Sequence, residues 1–213
     1  PKLHPIMQTE TYTGENIRHM KRNFRRTFVN MLTGFKSAHL VGTVGQDSNY
    51  NLAIFNSVTH IGANPPLMGC IFRPLTVPRH TYNNIRQSGY FTFNHINREM
   101  LPAAHQTSAK YPEDVSEFEV CGFHPLMSEH HPAPYVAESR IRIGLKYREE
   151  HLVAANGTIM MIGEIIEVQI EKGLVGDDGF IEHEQGETTA ISGLDAYYTA
   201  QKIHRLDYAR PQK

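Results

Sequence analysis

The chain is poor in cysteine: Cys70 and Cys121 are the only two in 213 residues, and no CxxC spacing joins them. That excludes the disulfide framework of a small secreted domain and leaves both as small buried hydrophobes. Charge of one sign is also lacking, since 21 Lys and Arg face 22 Asp and Glu for a net charge of -1. Nothing in that balance selects a polyanion, so nucleic acid is not an expected partner. No apolar run approaches the roughly 20 residues that span a bilayer. The greasiest segment, residues 158–170, is interrupted by Glu164 and Glu167, so no membrane partner is expected either. Pro1-Lys2-Leu3-His4-Pro5 lacks a basic stretch followed by an apolar one, which points to the cytoplasm. Histidine is plentiful at 13, yet His130-His131 lies in Ser128-Glu129-His130-His131-Pro132-Ala133-Pro134 with no second ligand cluster. A solvated loop is the expectation there, and no metal.

What is present is one domain's worth of β-rich chain over residues 1–213. Ile17, Met20, Phe24, Phe28 and Met31 recur at spacings of three and four, predicting one helix over residues 15–32. Thr13 would cap it and Gly34 end it, while Lys21, Arg22, Arg25 and Arg26 form a solvated basic face. After Gly34 the pattern changes to short β-branched and aromatic segments punctuated by Gly, Pro and Asn. Strands are predicted at 39–44, 54–61, 67–72, 90–95, 141–147 and 158–170, within a barrel of about 38–170 and a tail of about 187–213. Six strands with few long helices argue for an antiparallel barrel, which manages exposed sheet edges. Residues 81–87 would form a short helix stopped by Gly89, Asp114 would cap another with Glu117 three positions on, and residues 173–186 read as a hairpin or loop.

Chemistry concentrates between residues 51 and 81. Asn56, Ser57 and Thr59 place neutral hydrogen-bonding groups in an otherwise apolar stretch that Asn64-Pro65-Pro66 ends. Arg73, Arg79, His80 and Thr81 follow, just before the short helix. Arg pairs bidentately with phosphate, and backbone N–H groups at a helix start favour an anion. The two clusters suggest a phosphorylated ligand, with turn-forming structural roles as the competing explanation.

The run Asn51-Leu52-Ala53-Ile54-Phe55 through Asn64-Pro65-Pro66-Leu67, then Thr81 with Asn84-Ile85, then Gly89-Tyr90-Phe91-Thr92-Phe93-Asn94, resembles the flavin reductase-like group of FMN-binding split barrels. Weaker likeness continues in Asp114 to Phe118 and in Ile162-Gly163-Glu164-Ile165. The resemblance implies a mainly β, antiparallel split barrel with flanking helices, binding FMN near the interface of a homodimer. It implies a ring lying along the backbone of Asn51, Leu52, Ala53 and Ile54. Asn56 and Ser57 would contact the ribityl phosphate, and Arg79, His80 and Thr81 would close around it, with Arg73 nearby. Ile54 stands where the group often has Pro, Asn56 where it often has Ser, and His80 where an acid is frequent. The implied activity is that of an NAD(P)H-dependent oxidoreductase passing electrons from NADH or NADPH through FMN to free flavin or a small molecule, with no catalytic side chain assigned. An FMN electron carrier of the flavoredoxin kind, served by a redox-protein partner, is the alternative. Relatives of pyridoxamine-phosphate oxidases and haem-handling split barrels share the architecture. The tail Gly193-Leu194-Asp195-Ala196-Tyr197-Tyr198 is similar to an ending seen in some members, so either tyrosine would cover the partner's flavin or simply pack.

Overall fold

In the computed structural model, which describes residues 8–211, Thr13 accepts the Asn16 N–H, and Asn16 Oδ1 accepts the Thr13 N–H in return. The Pro1 to Pro5 segment lies outside the described residues. The single helix expected from periodicity is two: α1, Gly14–His19, and α2, Arg22–Met31, separated by extended backbone at Met20 and Lys21. Arg18 and Arg22, and Lys21 and Arg25, would be like-charged neighbours at i,i+4 in a continuous helix, which disfavours it. The break lets Arg25 Nη1 donate to the freed Arg18 carbonyl at 2.6 Å. Neither helix buries a residue in this chain. Gly34 turns the chain away with φ 68°.

The strands are β1 (Lys36–Ser37), β2 (His39–Val44), β3 (Tyr50–Phe55), β4 (Thr59–Ala63), β5 (Pro66–Phe72), β6 (Tyr90–His95), β7 (Pro125–Leu126), β8 (Tyr135–Val136), β9 (Ile141–Val153), β10 (Thr158–Ile170), β11 (Thr189–Ser192) and β12 (Ala196–Thr199). Between them lie α3 (His80–Ser88), α4 (Leu101–Gln106) and α5 (Glu117–Val120). Seven strands form one antiparallel sheet in the order β3-β2-β6-β9-β10-β5-β4. Its two outermost strands, β3 and β4, are consecutive in the chain, so the sheet must curl until its edges meet. The result is a split barrel.

Two strand expectations change. The predicted strand 54–61 is the end of β3 and the start of β4, with Asn56 to Val58 between them. Their polar side chains bond to other backbone instead of continuing a ladder: Asn56 Nδ2 donates to the Gly193 carbonyl at 2.7 Å, and Ser57 Oγ bonds Ile71. The strand expected at 141–147 runs on to Val153, because β10 pairs the polar Glu149, Glu150 and His151 beyond a bulge at Arg148. Residues 173–186 are a loop, held by Gly176 N–H donating to Phe180 O at 2.8 Å.

Alternation along the strands sends side chains to two cores. Val41, Cys70, Phe72, Phe91, Phe93 and Leu145 fill the barrel interior. Leu40, Leu52, Ile96, Phe118, Val136 and Ile191 pack on its outside under α4 and α5. Both cysteines are free, and burial pushes the Cys70 thiol up. No described helix is long and apolar enough to cross a membrane. Among the described residues no group of three His, Cys, Asp or Glu could hold a metal. His131 is a buried residue, contrary to the solvated loop expected: its Nδ1 accepts the Ala133 N–H, which leaves Nε2–H to donate to Leu145 O, both at 3.2 Å.

Candidate functional site

A cavity of about 690 Å³ opens where the split lies. One wall is the end of β3 and the bend after it, from Asn51 to Ser57; another is the end of β5 and the turn into α3, from Ile71 to Thr81. The rest comes from distant chain: His105 in α4 and Thr107 to Tyr111 after it, Glu117 at the start of α5, and Ile191, Leu194 and Asp195 around β11.

Nine of the ten residues expected at the site line this cavity: Asn51, Ala53, Ile54, Asn56, Ser57, Arg73, Arg79, His80 and Thr81. Leu52 does not. Its side chain is fully buried in the outer core, and only its backbone contributes, the N–H donating to Glu117 Oε2 at 3.0 Å.

The polar groups divide by what they still have to offer. Asn51 Nδ2 donates to Thr81 Oγ1 at 3.0 Å, tying β3 to the first turn of α3 and leaving the Thr81 hydroxyl proton uncommitted among the described residues. Asn84, one turn on, likewise donates to Thr43 Oγ1 at 3.1 Å. Asn56 uses one amide proton on Gly193 O and keeps the other. Ser57 keeps none: its Oγ accepts the Ile71 N–H at 3.0 Å and donates to the Ile71 carbonyl at 3.2 Å. The phosphate contact expected of Ser57 therefore has no proton to use, because closing the split takes it.

Arg79 stands at the N-cap of α3, makes no capping bond, and buries its Nε without a partner among the described residues. The first N–H groups of α3 have no partner within the helix. A half-buried guanidinium with an orphaned nitrogen beside those donors fits an oxyanion. Gly89 ends α3 at φ 77°, as expected.

Glu117 lines the cavity too, and its place in the local helix differs from expectation. It was expected as a helix-capping partner of Asp114, but α5 starts at Glu117 itself after Ser116. The residue is 6% exposed, and burial raises its carboxyl pKa, with the Leu52 N–H and nearby His80 pulling it back. The wall from His105 to Tyr111 had no sequence signal, lying beyond any local spacing from residues 51–81. Of the tail tyrosines, Tyr197 packs on the outer core and its OH meets His105 Nδ1 at 2.9 Å, while Tyr198 sets its ring edge on Phe35. Burial, then Asp195, pushes Tyr197 up to about 12.

The flavin reductase like domain family matches residues 32–190, which contain all of the main sheet and nearly all of the cavity wall. The chain belongs to that family. Its chemistry is accordingly of the flavin-related oxidoreductase kind. A split-barrel structure from Shewanella frigidimarina, provisionally assigned as a flavin reductase, is 47% identical, with a TM-score of 0.91 over 94% of this chain and 100% of that one. Flavoredoxin of Desulfovibrio vulgaris (Miyazaki F) shares the fold at 24% identity, with a TM-score of 0.72 over 83% of this chain and 92% of that one. An uncharacterized protein of Halalkalibacterium halodurans is 27% identical over 135 residues, 61% of this chain and 65% of its own length.

Proposed function

We propose that this flavin reductase-like protein binds FMN in the cavity and acts as an NAD(P)H-dependent oxidoreductase. The observation that carries the reading is Arg79, whose buried Nε has no partner among the described residues while the N-terminus of α3 adjoins it. Those groups, with Thr81 and the free amide proton of Asn56, would hold the phosphate. Arg73, exposed at the cavity rim, adds positive charge there. The apolar body of the cavity, from Ala53, Ile54, Phe55 and Phe72, would exclude water from a ring laid along β3. When bound, FMN would supply two-electron chemistry between a reduced nicotinamide and free flavin or a small-molecule acceptor.

A homodimer belongs to the same proposal. Among the described residues the apolar side of the N-terminal region is left exposed, with Phe24 56%, Leu32 64% and Phe35 68% exposed, and a second copy would cover it.

The test begins with fluorescence titration of the protein with FMN, riboflavin and FAD, followed by NADH and NADPH oxidation by the loaded protein. Tight FMN binding that riboflavin does not match supports the phosphate site, and turnover supports the reductase. No turnover with either nicotinamide, while a protein donor reduces the bound flavin, would replace the reductase with an electron carrier.

A further inference from the structure

We infer that Glu117 is a positioning residue of this site: by accepting the Leu52 N–H, its carboxylate fixes which backbone groups of β3 face the ligand. The inference rests on the flavin reading for the identity of that ligand.

β3 is an outermost strand, bonded to β2 on one side only. Along an antiparallel strand the N–H and C=O of one residue point to the same side, and alternate residues share that side. The Leu52 N–H points at Glu117 Oε2, away from β2, so the Leu52 carbonyl and the Ile54 N–H and carbonyl belong to the same free edge. Tyr50 belongs to it too, and its carbonyl accepts the Ser116 hydroxyl at 2.5 Å.

Ser116 and Glu117 thus dock on the free edge of β3 as a short strand would, but through side chains. They close the edge at Tyr50 O and Leu52 N–H and stop there. The groups beyond, at Leu52 O and Ile54, stay available beside the cavity, which Ile54 and Glu117 both line. A planar ligand with alternating hydrogen-bond donors and acceptors on one rim matches such a row, as the pyrimidine edge of a flavin does. Without the Glu117 contact, the Leu52 N–H would be left buried and unpaired or would compete for that rim, and the ring would lose its register.

A carboxylate is not needed for this, only an acceptor of the right reach. Glu117→Gln keeps the acceptor, whereas Glu117→Met keeps the bulk without it. The experiment pairs FMN titration of both variants with hydrogen exchange at the Leu52 amide in the apoproteins. Glu117→Gln should bind FMN within about threefold of the parent chain and keep Leu52 protected. Glu117→Met should bind at least about tenfold more weakly, a change of about 1.4 kcal/mol, with faster Leu52 exchange. Wild-type affinity and protection in Glu117→Met would overturn the inference, as would equal losses in Met and Gln. A Leu52 amide that exchanges freely in the parent apoprotein overturns it without any variant. If the parent chain takes up no FMN, the flavin reading fails, and Leu52 exchange alone then decides the role of Glu117.

Discussion

Two more steps of the β4–β5 register would set Ser57 opposite Ile71, and there the Ser57 side chain takes over the ladder, accepting the Ile71 N–H and donating to the Ile71 carbonyl. One hydroxyl thus makes the bonds that a strand residue would make with its backbone. This frees the chain at Asn56 to Val58 to bend from β4 back to β3, and the bend is one lip of the cavity.

Ser57→Ala should therefore act first on stability. Removing the hydroxyl leaves the Ile71 N–H and carbonyl without a partner, a cost of about 1–3 kcal/mol. Urea unfolding should show a lower midpoint with an unchanged slope. FMN affinity should fall less than in Arg79→Ala, since Ser57 has no proton to donate. A variant with full stability and lost FMN would return Ser57 to the phosphate site.

Arg79→Ala should do the reverse. The guanidinium buries an unpaired nitrogen in the ligand-free chain, so its removal should leave the unfolding midpoint unchanged or slightly raised. Loss of a charge-assisted contact of about 1.5–3 kcal/mol should weaken FMN roughly 10- to 150-fold, with little effect on riboflavin. Arg79→Lys should recover only part of this, lacking the planar fork. Parallel fluorescence titrations with FMN and riboflavin check it.

Glu117 carries a pH signature. Burial raises its pKa in the folded state, with His80, Cys121 and the backbone of Leu52 as the groups acting on it or acted on by it. A raised carboxyl pKa means that the folded chain holds the proton more tightly than the unfolded one. The stabilisation is complete below the unfolded value near 4.5 and is lost as pH rises through the folded one. Glu117→Gln should thus unfold at a higher temperature than the parent chain near pH 7, and the difference should shrink toward pH 4. A difference constant across that range would contradict the burial argument.

His39, His95 and His183 should make the protein sensitive to acid. His39 and His95 meet edge to face with centroids 4.5 Å apart, His95 stacks on His183 at 5.5 Å, and neither nitrogen of His39 has a partner among the described residues. Burial, then His183, lowers His39 to about 3; His95 and His183 are lowered chiefly by burial as well. Neutral imidazoles stabilise the fold above the unfolded value of 6.5, and this is lost as pH falls from there toward the folded values. The slope should approach about 1.4 kcal/mol per pH unit for each of His39 and His95, with the exposed His183 adding less. Urea midpoints at pH 7, 6 and 5 measure it, and His39→Phe should flatten the curve.

Local signals read well here because they depend on few neighbours. Thr13 caps a helix, Gly89 ends one at positive φ, and residues 39–44, 90–95 and 158–170 are strands, as short-range sterics and alternation require. The same locality explains the failures. The strand over 54–61 broke because Asn56 reaches Gly193, 137 residues away, and Ser57 reaches Ile71. His131 looked solvated because the acceptor of its Nε2–H, Leu145 O, lies 14 residues on, in β9.

The sequence by itself determined the alternation that makes an antiparallel β protein, the residues that surround the cavity from Asn51 to Thr81, and the family to which they belong. Only the tertiary structure decided what each of them has left to give. Hydrogen-bonding capacity is finite, and partners distant in the chain claim it: Ile71 takes the Ser57 proton, Gly193 takes one from Asn56, and Glu117 takes the Leu52 N–H, while Arg79 keeps a nitrogen that nothing in the described chain satisfies.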